Sequence, residues 1–258
     1  MQLELENRLF LVCGATAGFG GAIAHALLNE GAKVIAVARN RQKLEELRLL
    51  FPDRVETISG DLSRHETPDS IVSLLSNRAL DGMLVNAGGP PAKSFIETEM
   101  QDWDAAYASV LRWKIALVKA LLPKFRKQRY GRMVFVESIS VKQPVENLVL
   151  SNSMRLAVVG FVKTLSQEIA AEGITCNILA PGYHDTNAVK RVIQKKSDVS
   201  GLDYTTVQKQ LQNTIPAGRL GDPAEFASLA LWLLSPLSGY ITGQTISVDG
   251  GVMLGSFG

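Results

Sequence analysis
The stretch LSNSMRLAVVGF, Leu150 to Phe161, opens a long apolar-periodic segment whose first two turns carry Ser151, Asn152, Ser153 and Arg155. This set can donate hydrogen bonds. It offers no side chain that titrates near neutral pH, since a guanidinium holds its proton beyond a pH of ~12. Near the other end of the chain, CGATAGFGGAIA sets Gly14, Gly18 and Gly20 in a G-x-x-x-G-x-G spacing between an apolar run and a helical pattern. Glycines there let backbone approach a pyrophosphate, and the helix start supplies amide donors and a positive dipole end. A plain glycine-rich turn has the same composition; its place after the first strand is what favours a nucleotide.

The end of the second strand, AVARNRQK, holds Arg39, with Arg41 and Lys43 close by. An acid at this point would suit the ribose 2′-hydroxyl of NAD. Positive charge suits a 2′-phosphate, so NADP(H) is the expected cofactor and NAD(H) the alternative. Arg41 and Lys43 also fit the exposed face of the next helix. Asp61, after the third strand, is placed to accept a bond from an adenine amino group.

These residues need a scaffold, and the chain alternates strands and helices throughout. RLFLVC (8–13) is a continuous apolar run, as in a strand buried on both faces, and a helix closed by Gly31 follows it. Strands are expected at 33–38, 55–59, 82–88, 132–138, 174–182 and 245–251. Helices fall at 41–51, near 67–77, from Asp102 to about Arg129 in one or two pieces, from Leu150 onward, and at 222–235 with Pro223 in its first turn. The alternation predicts one α/β domain over 1–258, a doubly wound parallel sheet of about seven strands with helices on both faces. The polar segment 184–213 lacks a strand pattern and is expected to be a helical, lid-like insertion near the mouth of the site.

A chain of 258 residues suits one large domain, and 46% hydrophobic with 20% charged residues excludes a disordered one. A formal net charge of +2 gives no basis for nucleic-acid binding. No apolar run nears the ~18 residues that span a bilayer, and no leader precedes the first strand, so a cytoplasmic protein without membrane contact is expected. Cys13 and Cys176 lie in strand-like apolar runs and read as buried thiols. No metal-ligand spacing is present. His25, in the first helix, is expected to be structural. The basic run KFRKQRYGR (124–132) fits a helix C-terminus with solvated charges; docking of an acidic carrier protein is the sharper alternative.

Together these residues resemble the short-chain dehydrogenase/reductase family, over nearly the whole chain, and are most similar to its bacterial 3-oxoacyl-carrier-protein reductases. GATAGFG resembles the cofactor turn, NAGG (86–89) the Asn-Ala-Gly after the fourth strand, NILAPGYHDT the segment that meets the nicotinamide amide, and GRLGDPAEFASLALWLLSPLSGYITGQTISVDGG the C-terminal end. The resemblance implies a Rossmann fold with cofactor contacts at Gly14, Thr16, Gly18, Phe19 and Gly20, at Arg39, Asp61 and Leu62, at Asn86 and Gly88, at Arg155, and at Pro181, Gly182 and Thr186. It also implies a homotetramer or dimer, paired through helices 103–127 and 151–171.

The family catalyses with an Asn, a Ser, a Tyr and a Lys, the last two as Y-x-x-x-K. The lysine charge lowers a phenol pKa of ~10 so that the tyrosine can exchange the carbonyl oxygen's proton. Here Ser138 matches the serine, Ser151 stands at the tyrosine position, Arg155 at the lysine position and Val110 at the asparagine position. A positioned general acid is worth ~10²–10⁴ in rate, so another donor is needed: Ser151 itself, Tyr183 beside the expected nicotinamide, or Lys142 four residues after Ser138; His184 is a further candidate. The expected function is NADPH-dependent reduction of a carbonyl, a 3-oxoacyl thioester or a small ketone or aldehyde, with an atypical proton path. The alternative is a cofactor-binding protein that has lost catalysis and acts as a sensor or oligomer partner.

Overall fold
A computed structural model describes residues 2–256. Seven parallel strands run in the order β3-β2-β1-β4-β5-β6-β7: β1 Leu9–Cys13, β2 Lys33–Ala38, β3 Val55–Ser59, β4 Gly82–Val85, β5 Gly131–Val136, β6 Ile174–Pro181 and β7 Thr245–Val248. The interior strand β1 is buried at every residue. Its side chains alternate between two cores. Phe10 and Val12 join the cluster under α1 (Gly18–Asn29) and α9 (Pro223–Leu234). Leu9, Leu11 and Cys13 join the cluster under α5 (Trp113–Gln128) and α6 (Val149–Ile169). This is the burial on both faces that a continuous apolar run requires.

The remaining helices are α2 Arg41–Leu50, α3 Glu66–Leu75, α4 Met100–Ala106, α7 Asn187–Ser200 and α8 Tyr204–Asn213. The expected helix from Asp102 to Arg129 is one continuous body in which a π-helical turn, Tyr107–Arg112, joins α4 to α5. Segment 184–213 is helical, as α7 and α8. Three expected strands end more than one residue early. β4 stops at Val85, where Asn86 turns back to donate to the Cys13 carbonyl at 3.4 Å. β5 stops at Val136, leaving Glu137 and Ser138 just beyond its end. β7 stops at Val248 because Gly250 and Gly251 take φ of +65° and +89°. Both cysteines are buried thiols, with burial pushing each up to about 12. His25 is exposed beside Phe51, with 6.0 Å between ring centroids.

The basic run at 124–132 is largely tied down. Lys124 donates to the carbonyls of Ser76 and Arg78, Arg126 pairs with Glu172, and the buried Arg132 donates to the carbonyls of Gly131, Gly173 and Ser235. Among the described residues no helix is long and apolar enough to cross a membrane, and no group of His, Cys, Asp and Glu could hold a metal ion.

The crossovers from β1 to β3 wind one way and those from β4 onward the other, so the sheet reverses between β1 and β4. Ligands of such sheets bind in the crevice beyond the carboxyl ends at that reversal. Gly14 and Asn86 stand there, one after each strand.

Candidate functional site
The cofactor turn is built by close approach. Gly14 has φ +71°, and a Cβ on it would lie 2.7 Å from the Asn86 amide nitrogen. A Cβ on Gly20 would lie 2.3 Å from the Gly14 carbonyl oxygen. Both positions therefore exclude any side chain. No side chain caps the start of α1 at Ala17, and its first turn holds no acid, so its amides are open to an anion. Beside this turn lies a cleft of about 460 Å³ whose walls include Gly14, Thr16, Arg39, Asp61, Leu62, Asn86, Gly88, Gly89 and Trp113. Hydrogen bonds from the Ser63 amide (2.9 Å) and hydroxyl (2.7 Å) hold the Asp61 carboxyl below its ordinary range, so it is an ionised acceptor. Arg39 is exposed at the rim. The lining fits a dinucleotide.

Opposite, Thr186 caps α7, its hydroxyl accepting from the Val189 amide at 3.4 Å, and its methyl lies 3.9 Å from the point a Gly18 Cβ would occupy. The loop after β6 thus sits against the cofactor turn, with Gly182 donating to the Val248 carbonyl at 2.9 Å after Pro181 ends the strand. The Phe19 side chain turns away from the cleft and packs on His184 and Phe226, at 5.0 and 4.2 Å between ring centroids. His184 is accordingly buried, and burial pushes its pKa down. Tyr183 lines a separate cavity of about 170 Å³ with His184, Arg219, Glu225 and Asp249; Ser138, Ser151 and Arg155 are not among its walls.

At the carboxyl end of β5, Ser138 caps a short 3-10 turn, its Oγ accepting from the Ser140 amide at 3.1 Å. Lys142 follows, half-buried, at the end of that turn. On α6 the buried residues Ser151, Arg155, Val158, Val162, Leu165 and Ile169 form one stripe at helical spacing. Its apolar length packs on the sheet and places the polar pair at the sheet's carboxyl end. Asn152 anchors the helix start by donating to the Val145 carbonyl at 2.9 Å. Arg155 Nε donates to Ser151 Oγ at 3.0 Å, and Nη1 donates to the Glu137 carbonyl at 3.1 Å and carboxylate at 3.0 Å. Nη2 points to Gly89, 3.0 Å from where a Cβ would stand, and so to the wall of the cleft.

Glu137 has a second partner, Lys114, whose ammonium donates to its other carboxylate oxygen. Glu137 and Lys114 are both buried, and neither was singled out by motif. The available signal was a charge inside each of two apolar runs, VFVES and RWKIALV. Val110 is buried in the π-helical turn one helical turn before Lys114.

A sequence model described as Enoyl-(Acyl carrier protein) reductase matches residues 14–253. The chain is 29% identical over 254 residues to the 3-oxoacyl-[acyl-carrier-protein] reductase FabG of Vibrio cholerae, covering 98% of this chain and all of that one. It is 30% identical over 249 residues to dehydrogenase/reductase SDR family member 6 of Rattus norvegicus, covering 96% and 98%. Among solved structures, the L-sorbose reductase of Gluconobacter frateurii, complexed with NADPH and L-sorbose, superposes with a TM-score of 0.93 at 25% identity, covering 99% and 100%. YwfH, an NADPH-dependent reductase of bacilysin biosynthesis, superposes with a TM-score of 0.91 at 26% identity, covering 97% and 100%. The glycine turn, the reversal point of the sheet and these whole-length matches agree: the chain belongs to the short-chain dehydrogenase/reductase family and is one of its oxidoreductases.

Proposed function
We propose that the protein reduces a carbonyl with NADPH, using Ser151 and Arg155 where its family uses tyrosine and lysine. The observation that carries this reading is the 3.0 Å bond from Arg155 Nε to Ser151 Oγ. It occupies an acceptor site on the hydroxyl, so the Ser151 hydrogen is free to be donated to a substrate oxygen. The charge beside it stabilises the negative charge that develops there. Ser138 orients the same oxygen. Arg155 Nη2 faces the cleft where ribose hydroxyls would lie, and Arg39 receives the 2′-phosphate. The bound nicotinamide supplies the hydride.

The proton delivered to the product oxygen comes from Ser151, which recovers one from water. Lys142 and Tyr183 are alternative sources. The substrate is a 3-oxoacyl thioester or a small ketone or aldehyde. The reductase relatives at full-length coverage and the NADPH-bound L-sorbose reductase support this class. We place the protein in the cytoplasm as a dimer or tetramer.

Ser151→Ala tests the proposal. Loss of the donor should lower kcat by ~10²-fold or more while NADPH affinity stays within about twofold, because Ser151 is not among the residues that line the cofactor cleft. Unchanged kcat would move the proton path to Lys142 or Tyr183. Absence of turnover in the parent, with NADPH bound, would instead favour a silenced cofactor-binding protein.

A further inference from the structure
Arg155 cannot by itself stand in for the family's lysine. Its guanidinium is paired at 3.0 Å with the fully buried Glu137 carboxylate, and a paired cation and anion present no net charge to the site. Lys114 alters that sum. Its side chain is 2% exposed, its ammonium is bonded to the same carboxylate, and it lies 5.8 Å from the ring of Trp113, a residue of the cleft wall. Two cations and one anion thus form one buried cluster beside Ser151. In such surroundings a net charge acts over a longer range than it would in water.

We propose that Lys114 and Glu137 are positioning residues of the reaction. Glu137 fixes the guanidinium so that Nε points at Ser151, and Lys114 restores the single net positive charge that Glu137 would otherwise cancel. This rests on the reductase reading above. The unit spans three elements: Lys114 on α5, Glu137 beyond β5 and Arg155 on α6. Besides these three, the titratable group facing Lys114 is Cys13 on β1, whose thiol is pushed up to about 12 and stays neutral. Burial pulls the Lys114 pKa down, opposed by Glu137. The positive charge, and with it the activity, is therefore present at low pH and lost as pH rises through the Lys114 pKa.

The test compares two variants with the parent. Lys114→Gln keeps a donor to Glu137 and sets the unit's charge to zero. Lys114→Gln/Glu137→Gln leaves Arg155 alone and returns the charge to +1. Three quantities are read: kcat, its pH profile, and the ratio of NADP⁺ to NADPH dissociation constants. The ratio needs no turnover, because a buried positive charge disfavours the cationic nicotinamide. In Lys114→Gln, kcat should fall ~10-fold or more, the high-pH loss of activity should vanish, and the ratio should drop about threefold. The double variant should recover most of kcat and of the ratio. A merely structural lysine would lower the melting temperature of Lys114→Gln with all three readouts intact, and that result overturns the proposal. So does a double variant that is no better than the single one. If the ratio responds as expected but the parent turns over no carbonyl, the charge unit stands and the reductase reading fails.

Discussion

Replacing Glu137 by alanine tests the buried unit through stability alone. The carboxylate is fully buried and accepts from Lys114 on one oxygen and from Arg155 on the other. Glu137→Ala leaves two buried cations without a counter-charge. Breaking a buried pair in this way costs about 3–5 kcal/mol. That is a large part of a domain stability of about 5–15 kcal/mol. At about 2–4 °C per kcal/mol for a domain of this size, the melting temperature should fall by about 6–20 °C. The defect should also depend on pH. Without Glu137 the main opposition to the burial and to the Arg155 charge that lower the Lys114 pKa is gone, so the folded value lies below that of the unfolded chain. The unfolded chain then binds more protons between the two values, and stability rises with pH across that window. The penalty is greatest below the folded pKa and shrinks as pH climbs toward ~10.4, the ordinary lysine value. Calorimetric or fluorescence melts between about pH 6 and about pH 10 read both effects. A variant that melts within about 2 °C of the parent, with no pH trend, would refute a charge unit of two cations and one anion.

Other perturbations address the cofactor cleft and the loop opposite. Gly20→Ala places a methyl 2.3 Å from the Gly14 carbonyl oxygen, backbone that cannot move aside freely; NADPH titration should show affinity down by ~10-fold or more. Arg39→Ser should weaken NADPH by about tenfold or more while leaving NADH within about twofold, by the same titration, since only the 2′-phosphate loses its partner. His184 is buried against Phe19 and Phe226 with its pKa lowered. Stability should therefore fall as pH drops below ~6.5, and His184→Gln should flatten that part of a melting-temperature profile.

The sequence made the scaffold legible where patterns were long or constrained from two sides. β1 reads as a buried strand because both its faces are core, and α9 declares its start with Pro223 in its first turn and with Asp222 and Glu225, which form a capping box. Boundaries set by tertiary contact were less visible: β4 ends at Val85 only because Asn86 is drawn back to Cys13. In the site, Ser138, Ser151 and Arg155 were found through the family resemblance, and the α6 stripe brings the last two together. The partners of Arg155 were hidden. Glu137 and Lys114 are 23 residues apart and carry opposite charge inside apolar runs. Nothing local marks them as a pair, because their meeting depends on α5 lying across the end of β5. The burial of His184 was hidden for the same reason: it comes from Phe19 and Phe226, remote in the chain.

The most direct measurement of the central claim is NADPH oxidation at the dihydronicotinamide absorbance band, with the purified parent protein and a panel of 3-oxoacyl thioesters, ketones and aldehydes. A site in which Ser151 and Arg155 replace the tyrosine and lysine predicts turnover of at least one carbonyl class, strictly dependent on Ser151 and on Ser138. NADPH binding without oxidation by any member of the panel would contradict it.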